Sequence, residues 1–238
     1  MRLVGVGMGP GDPELVTVKA VRVLREADLV VVPVMDACEQ GRAEATVRAH
    51  VDHDRIQRLV FALDDRGGAT PARHDAWEAA AQAVAEALQD KGTVAFATIG
   101  DPNVYSTFTY LADGVRERLP EVEVSSVPGI TAMQDLAARS GTVLCEGNES
   151  LALLPLTAGI EVFERAIAGF DTVVAYKGGR QLAAVREVLG RHGRLDDAVF
   201  GAALGLPGER IGPLPEGSAA YLSTVIAPAR RTSRGGKL

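Results

Sequence analysis

Short apolar runs stopped by turn-forming residues alternate along this chain with stretches whose apolar positions recur at helical spacing. Leu3 to Val6, Leu29 to Pro33, Val94 to Thr98, Val122 to Val127, Leu151 to Leu154 and Thr172 to Lys177 read as buried strands, with a further one over Leu59 to Leu63. Between them, Val18, Val21 and Leu24 form an apolar face behind Thr17 as N-cap, and Trp77, Ala80, Ala81, Val84 and Leu88 line a long helix. Val104, Phe108, Leu111 and Val115 share a helical face, Ala43 to Ala49 is a short helical stretch, and helices are expected from about Thr131 to Arg139, over Val162 to Ile167 and over Leu182 to Leu189. Alternation of this kind predicts an α/β fold. Ala198 to Leu204, Arg210 to Leu214 and Tyr221 to Ala227 have no helices between them, so that part of the sheet is expected to be antiparallel or mixed. Pro128-Gly129 is the expected boundary, which divides the chain into two α/β domains at 1–127 and 128–229, followed by a flexible tail at 230–238 with Arg230, Arg231, Arg234 and Lys237.

The chemistry is expected where strands stop. Gly5-Val6-Gly7-Met8-Gly9-Pro10-Gly11-Asp12-Pro13 follows the first strand, Ile99-Gly100-Asp101-Pro102 the strand at Val94, and Pro128-Gly129-Ile130-Thr131-Ala132 the strand at Val122. Small ligands bind at the carboxyl ends of strands in open α/β sheets. Glycines there admit backbone conformations closed to other residues and let a ligand approach the main chain. Asp101 has two readings of equal weight, a hydrogen-bond acceptor for a ribose or a helix cap; Thr131 either caps its helix or helps hold a ligand carboxylate. The first loop is not a dinucleotide fingerprint, because Pro10 and Asp12 stand where glycine is required, and the lysine and serine of a P-loop are missing. His50 and His53 have the spacing HxxH but sit among loop-forming residues, which favours a solvated loop over a metal site. Trp77 reads as core rather than a stacking platform.

Composition narrows the choice of ligand. The chain has 238 residues, 47% hydrophobic and 24% charged, with a net charge of −6. That balance gives ample core and argues against a nucleic-acid-binding face. No apolar run reaches the roughly 18 residues that span a bilayer, and the start MRLVGVGMGPGD reads as strand and turn rather than a leader. Two cysteines, Cys38 and Cys145, are too few for a disulfide framework and fit a cytoplasmic protein.

GVGMGPGDPELVTVKAVRVLREADLVVVP, IGDPNVYSTFTYL and VPGITAMQDLAARSG resemble, in order and separation, the signature motifs of the tetrapyrrole methylase family. The resemblance runs over almost the whole chain. Within that family, the central helix, the Asp-Asp-Arg loop before Trp77 and Lys177-Gly178-Gly179-Arg180 are most similar to the branch that methylates C20 of a reduced tetrapyrrole on the way to corrins. It implies S-adenosyl-L-methionine as cofactor, a small-molecule tetrapyrrole substrate, a homodimer, and two α/β domains with a ligand cleft between them. Carried over by motif, Pro10, Ile99, Gly100, Asp101, Val104, Tyr105, Thr131, Ala132, Lys177 and Gly205 are its expected cofactor contacts, largely through backbone. Weaker substrate candidates are Gly9, Gly11, Asp12 and Asp36, with Arg66, Arg73 and Arg180 as cations for the substrate's carboxylates. Relatives acting on uroporphyrinogen carry a Tyr-Asp-Arg after the second strand and a later lysine. Here Pro33-Val34-Met35-Asp36 occupies the first place and no lysine lies near Leu59 to Leu63, so no catalytic residue is assigned. Competing expectations are a cobalt-bearing substrate, another corrin position, a diphthine synthase-like protein methyltransferase, and a non-catalytic sensor of the methyl donor.

Overall fold

The computed structural model describes residues 1–61, 70–219, 222–233 and 237. The chain divides into two compact units, Met1–Thr131 and Ala132–Leu238. The division falls after the expected Pro128-Gly129 because Gly129 N–H is held by Asp101 Oδ2 at 3.0 Å, which keeps the turn with the first unit.

Unit 1 runs β1 (Arg2–Gly7), α1 (Val18–Glu26), β2 (Leu29–Val34), α2 (Arg42–Arg48), β3 (Ile56–Val60), α3 (Pro71–Lys91), β4 (Thr93–Thr98), α4 (Phe108–Arg118) and β5 (Glu123–Val127). Its five strands are ordered β3-β2-β4-β1-β5 and all pairings are parallel. Parallel strands covered on both faces must be apolar throughout. Accordingly Leu3, Val31 and Phe96 point into a core shared with α3 and α4, whereas Val4, Val6, Val30, Val32 and Ala97 point into one shared with α1 and α2.

Local signals behave as expected at several ends. Thr17 caps α1 by accepting Ala20 N–H at 3.1 Å, and Trp77 packs against the core while stacking on Tyr110 at 4.2 Å. Three expectations shift. β3 covers Ile56–Val60 instead of starting at Leu59, because the register pairs Ile56 with Val30 and places polar Gln57 and Arg58 on an edge strand. Of the rest of that expected strand, Phe61 is buried with its N–H on Val34 O at 2.9 Å, and Ala62 and Leu63 lie outside the described residues. Arg73, expected in a loop, is in the first turn of α3, where Thr70 Oγ1 accepts its N–H at 3.3 Å. Val104 precedes α4: its N–H donates to Asp101 O at 3.2 Å in the turn, and Ser106 Oγ accepts Phe108 N–H where the helix starts.

Unit 2 contains α5 (Ala132–Ser140), β6 (Leu151–Pro155), α6 (Ile160–Gly169), β7 (Thr172–Tyr176), α7 (Leu182–Arg191), β8 (Val199–Ala202), β9 (Arg210–Gly212) and β10 (Ser223–Ala227). The strand order is β6-β7-β10-β8-β9, with β6 and β7 parallel and the remaining pairs antiparallel. Where helices stop separating the strands the sheet turns antiparallel, one of the two arrangements the pattern left open. Near the C-terminus, Arg231 Nε lies 2.9 Å from Glu149 Oε1 and 3.0 Å from Glu146 Oε1, and Lys237 Nζ lies 2.5 Å from Asp171 Oδ1.

Candidate active site

β4, β1 and β5 are neighbours, and being parallel they release the chain at the same edge of the sheet. After β1 the chain enters α1 on one face; after β4 it enters α4 on the other. This reversal between adjacent strands defines the position at which open α/β sheets take ligands. The turns touch one another there. Met8 N–H donates to Thr98 O at 2.9 Å, and Gly100 N–H to Gly9 O at 2.7 Å. A Cβ on Gly129 would lie 2.1 Å from Gly100 O, and one on Gly7 would lie 2.5 Å from Gly129 N. Glycine is thus required at 7 and 129 because main chain meets main chain. Gly100 differs: its φ is 69° and a Cβ there would meet nothing within 4 Å. The space beside its Cα is open.

Asp101, 9% exposed, is the brace of this arrangement. Its Oδ1 accepts Asn103 N–H at 2.8 Å, and its Oδ2 accepts Gly129 N–H at 3.0 Å. One carboxylate therefore ties the turn after β4 to the turn after β5, and each oxygen keeps a lone pair for another donor. Gly9, Pro10 and Gly11 are buried beside it, Ile99 and Val104 half-buried, and Tyr105 is exposed with φ 53°. Partial burial raises the Tyr105 phenol above its ordinary value, so it is a neutral hydroxyl at physiological pH. Thr131 is buried and closes unit 1; Ala132 opens α5.

In unit 2, Lys177 (φ 61°) and Ala203 (φ 50°) follow β7 and β8, the two strands flanking β10. Their N–H groups donate to Ser223 O and Leu222 O at 3.1 and 3.2 Å, which holds both in a left-handed conformation that costs a non-glycine residue about 1 kcal/mol. Gly178 is forced by packing, since a Cβ would lie 2.2 Å from Leu156 Cδ1. Gly205 (φ 67°) donates its N–H to Glu209 Oε2 at 2.7 Å.

The substrate candidates fall on different elements. Asp12 caps the short turn at Pro13–Leu15 by accepting Glu14 N–H, and exposed Asp36 accepts Cys38 N–H at 2.8 Å. Gly11 O accepts the Thr46 hydroxyl at 3.3 Å. Arg73 belongs to α3, Arg180 is exposed after β7, and Arg66 lies outside the described residues, as does the His53 side chain.

Two clusters escaped the sequence reading. Glu44 is fully buried, and its carboxylate receives Arg48 Nε and Arg58 Nε at 2.8 Å each and Gly41 N–H at 3.2 Å. Burial alone would raise its pKa, but the hydrogen bonds from Arg58 and Arg48 and from Gly41 N–H outweigh that and hold it below the ordinary value. The spacing of Glu44 and Arg48 carries an i,i+4 signal, and Glu44 at the third helical position supplies the half of a capping box that Gly41, without a side chain, cannot complete; nothing local points to Arg58. The second cluster joins Arg139 to Glu209, 70 positions apart.

A family model for tetrapyrrole (corrin/porphyrin) methylases matches residues 2–220, and the chain belongs to that family. Methyltransferases of this family use S-adenosylmethionine, and the open space beside Gly100, where the turns after three neighbouring strands meet, suits a ligand contacted by main chain. Among its relatives is a precorrin-2 C(20)-methyltransferase from Sinorhizobium sp, 35% identical over an alignment of 236 positions that covers 95% of this chain and 95% of that one. A probable cobalt-precorrin-2 C(20)-methyltransferase from Methanocaldococcus jannaschii is 36% identical over 177 residues, 74% of this chain and 72% of that one. The fold is also that of a uroporphyrin-III C-methyltransferase from Thermus thermophilus, solved with S-adenyl homocysteine (TM-score 0.65, 21% identity, 96% of this chain and 97% of that one).

Proposed function

We propose that this protein transfers a methyl group from S-adenosylmethionine to C20 of precorrin-2 in corrin biosynthesis. The observation that carries the reading is 35% identity along 95% of both chains with a precorrin-2 C(20)-methyltransferase. In unit 1 the donor would be held by Pro10, Ile99, Gly100, Asp101, Val104 and Tyr105, with Thr131 and Ala132; in unit 2 by Lys177 and Gly205. When bound, the donor supplies an electrophilic methyl on a sulfonium whose leaving group is a neutral thioether. The chain's contribution is orientation. The contacts among Gly7, Gly100 and Gly129, with Asp101 bridging two of the turns, hold the rim at β1, β4 and β5 in one arrangement, which favours a fixed donor geometry for the transfer. The C20 carbon then releases its proton to restore conjugation, a step to which no residue is assigned.

The working form in this reading is a cytoplasmic homodimer. Light scattering on the purified chain should give twice the mass of one chain. Among the described residues no helix is long and apolar enough to cross a membrane. A second reading, in which the acceptor carries cobalt, draws on the Methanocaldococcus jannaschii relative. The deciding experiment offers methyl-labelled S-adenosylmethionine with precorrin-2 or with cobalt-precorrin-2, and locates the label by NMR and mass spectrometry. Label at C20 of precorrin-2 is expected. Label only on the cobalt form selects the second reading, and label on neither, or at another carbon, overturns both.

A further inference from the structure

The segment joining β8 to β9 carries Gly205, and its shape is set by a carboxylate at its far end. Two consecutive turns close it, with Leu206 N–H on Ala203 O at 3.0 Å and Glu209 N–H on Leu206 O at 3.1 Å. Glu209 then folds back on the first turn: its Oε2 accepts Gly205 N–H at 2.7 Å. The same carboxylate is gripped by Arg139 at the end of α5 through two parallel bonds, Nη1 to Oε2 and Nη2 to Oε1, at 2.5 Å each. Arg139 is itself anchored, since Nη1 lies 3.8 Å from Oδ2 of Asp135, a residue 4% exposed. A bidentate guanidinium fixes the plane of a carboxylate as well as its position. The Gly205 peptide is therefore oriented from two directions, by the strained Ala203 (φ 50°) before it and by the Glu209–Arg139 pair after it.

We propose that Glu209, fixed by Arg139, is a positioning residue for the methyl donor: it sets the orientation of the Gly205 peptide on which donor affinity depends. This rests on the reading that Gly205 contacts the donor. Glu209 itself need not touch the ligand, because its carboxylate is committed to Gly205 and Arg139. Removing it frees the peptide to rotate, and the donor must then order it on binding, at a cost of affinity. Acceptor binding has no reason to change.

The test measures S-adenosylmethionine affinity by calorimetry, and KM for donor and acceptor separately, on the full chain. Glu209→Ala should weaken donor binding about tenfold, the scale of one charge-assisted hydrogen bond, with the acceptor KM unchanged. Glu209→Gln, whose amide oxygen still accepts from Gly205 N–H, should recover most of that loss. Donor affinity unchanged in folded Glu209→Ala, or donor and acceptor KM rising together, overturns the proposal. If Glu209→Ala does not fold, Arg139→Gln decides: the Gly205 bond stays but its acceptor is loosened, so a donor Kd raised roughly threefold is expected and an unchanged Kd overturns the proposal. Failure of the wild-type chain to bind the donor would instead strike the methyltransferase reading itself, so the two failures are distinguishable.

Discussion

Asp101 shows how one side chain can hold two turns together. Its carboxylate satisfies the N–H groups of Asn103 and Gly129, so Asp101→Ala strands two backbone donors near the rim. We expect a loss of about 2 kcal/mol in chemical denaturation and about a tenfold weaker donor Kd by calorimetry, with the fold retained. An unchanged Kd would remove Asp101 from the donor site. Gly129→Ala is the steric counterpart. Its Cβ would lie 2.1 Å from Gly100 O, and the backbone on both sides is fixed, so at least about 2 kcal/mol should be lost and donor binding with it. Both readings of Asp101, as a cap-like turn residue and as a ligand contact, were visible in Gly-Asp-Pro. Its reach to Gly129, 28 positions away, was not, because a sequence records which residues have acceptors and not which donors arrive.

Among the elements, α2 and β3 are joined by charge as well as by packing. β3 is an edge strand bearing Gln57 and Arg58, and α2 buries Glu44 against it. Arg58 also donates to Ala37 O at 3.0 Å, so the cluster fastens the stretch after β2 to the strand beside it. Glu44→Gln should destabilise unit 1 by about 3 kcal/mol, since it leaves two arginines beside a neutral group in a desolvated position. Thermal unfolding of the variant checks this; a change within the range of a surface substitution would mean that the arginines are satisfied elsewhere. The same cluster explains why β3 begins at Ile56. Expecting an apolar strand, pattern reading favoured Leu59, whereas pairing with β2 and the Arg58–Glu44 contact draw the polar residues in.

At the scale of the whole molecule, paired carboxylates set the response to acid. Hydrogen bonds from Arg139 and Gly205 lower the pKa of Glu209; Arg231 does so for Glu149, Arg191 for Glu164, and Lys237 with Ser150 holds Asp171 well below the ordinary range. Each is lowered on folding, so its stabilisation is complete above the unfolded values near about 4 and is lost as pH falls through the folded values. The melting temperature should hold from pH 7 to about 5 and decline below about 4; Glu44→Gln, which removes one such group, should flatten that decline. A flat wild-type profile would mean that these pairs make no net contribution. The hydrophobic periodicity of the chain was enough to give the alternation of strands and helices, and the glycines marked the turns, because both depend on neighbours within a few residues; the end of the second sheet was left as antiparallel or mixed, and the pairing made it antiparallel. Only the tertiary structure decided that Gly7, Gly100 and Gly129 are in backbone contact, that Asp101 braces them, and that Glu44 and Glu209 find their arginines. Those outcomes depend on which strand ends become neighbours, and parallel pairing brings together residues that no local spacing relates.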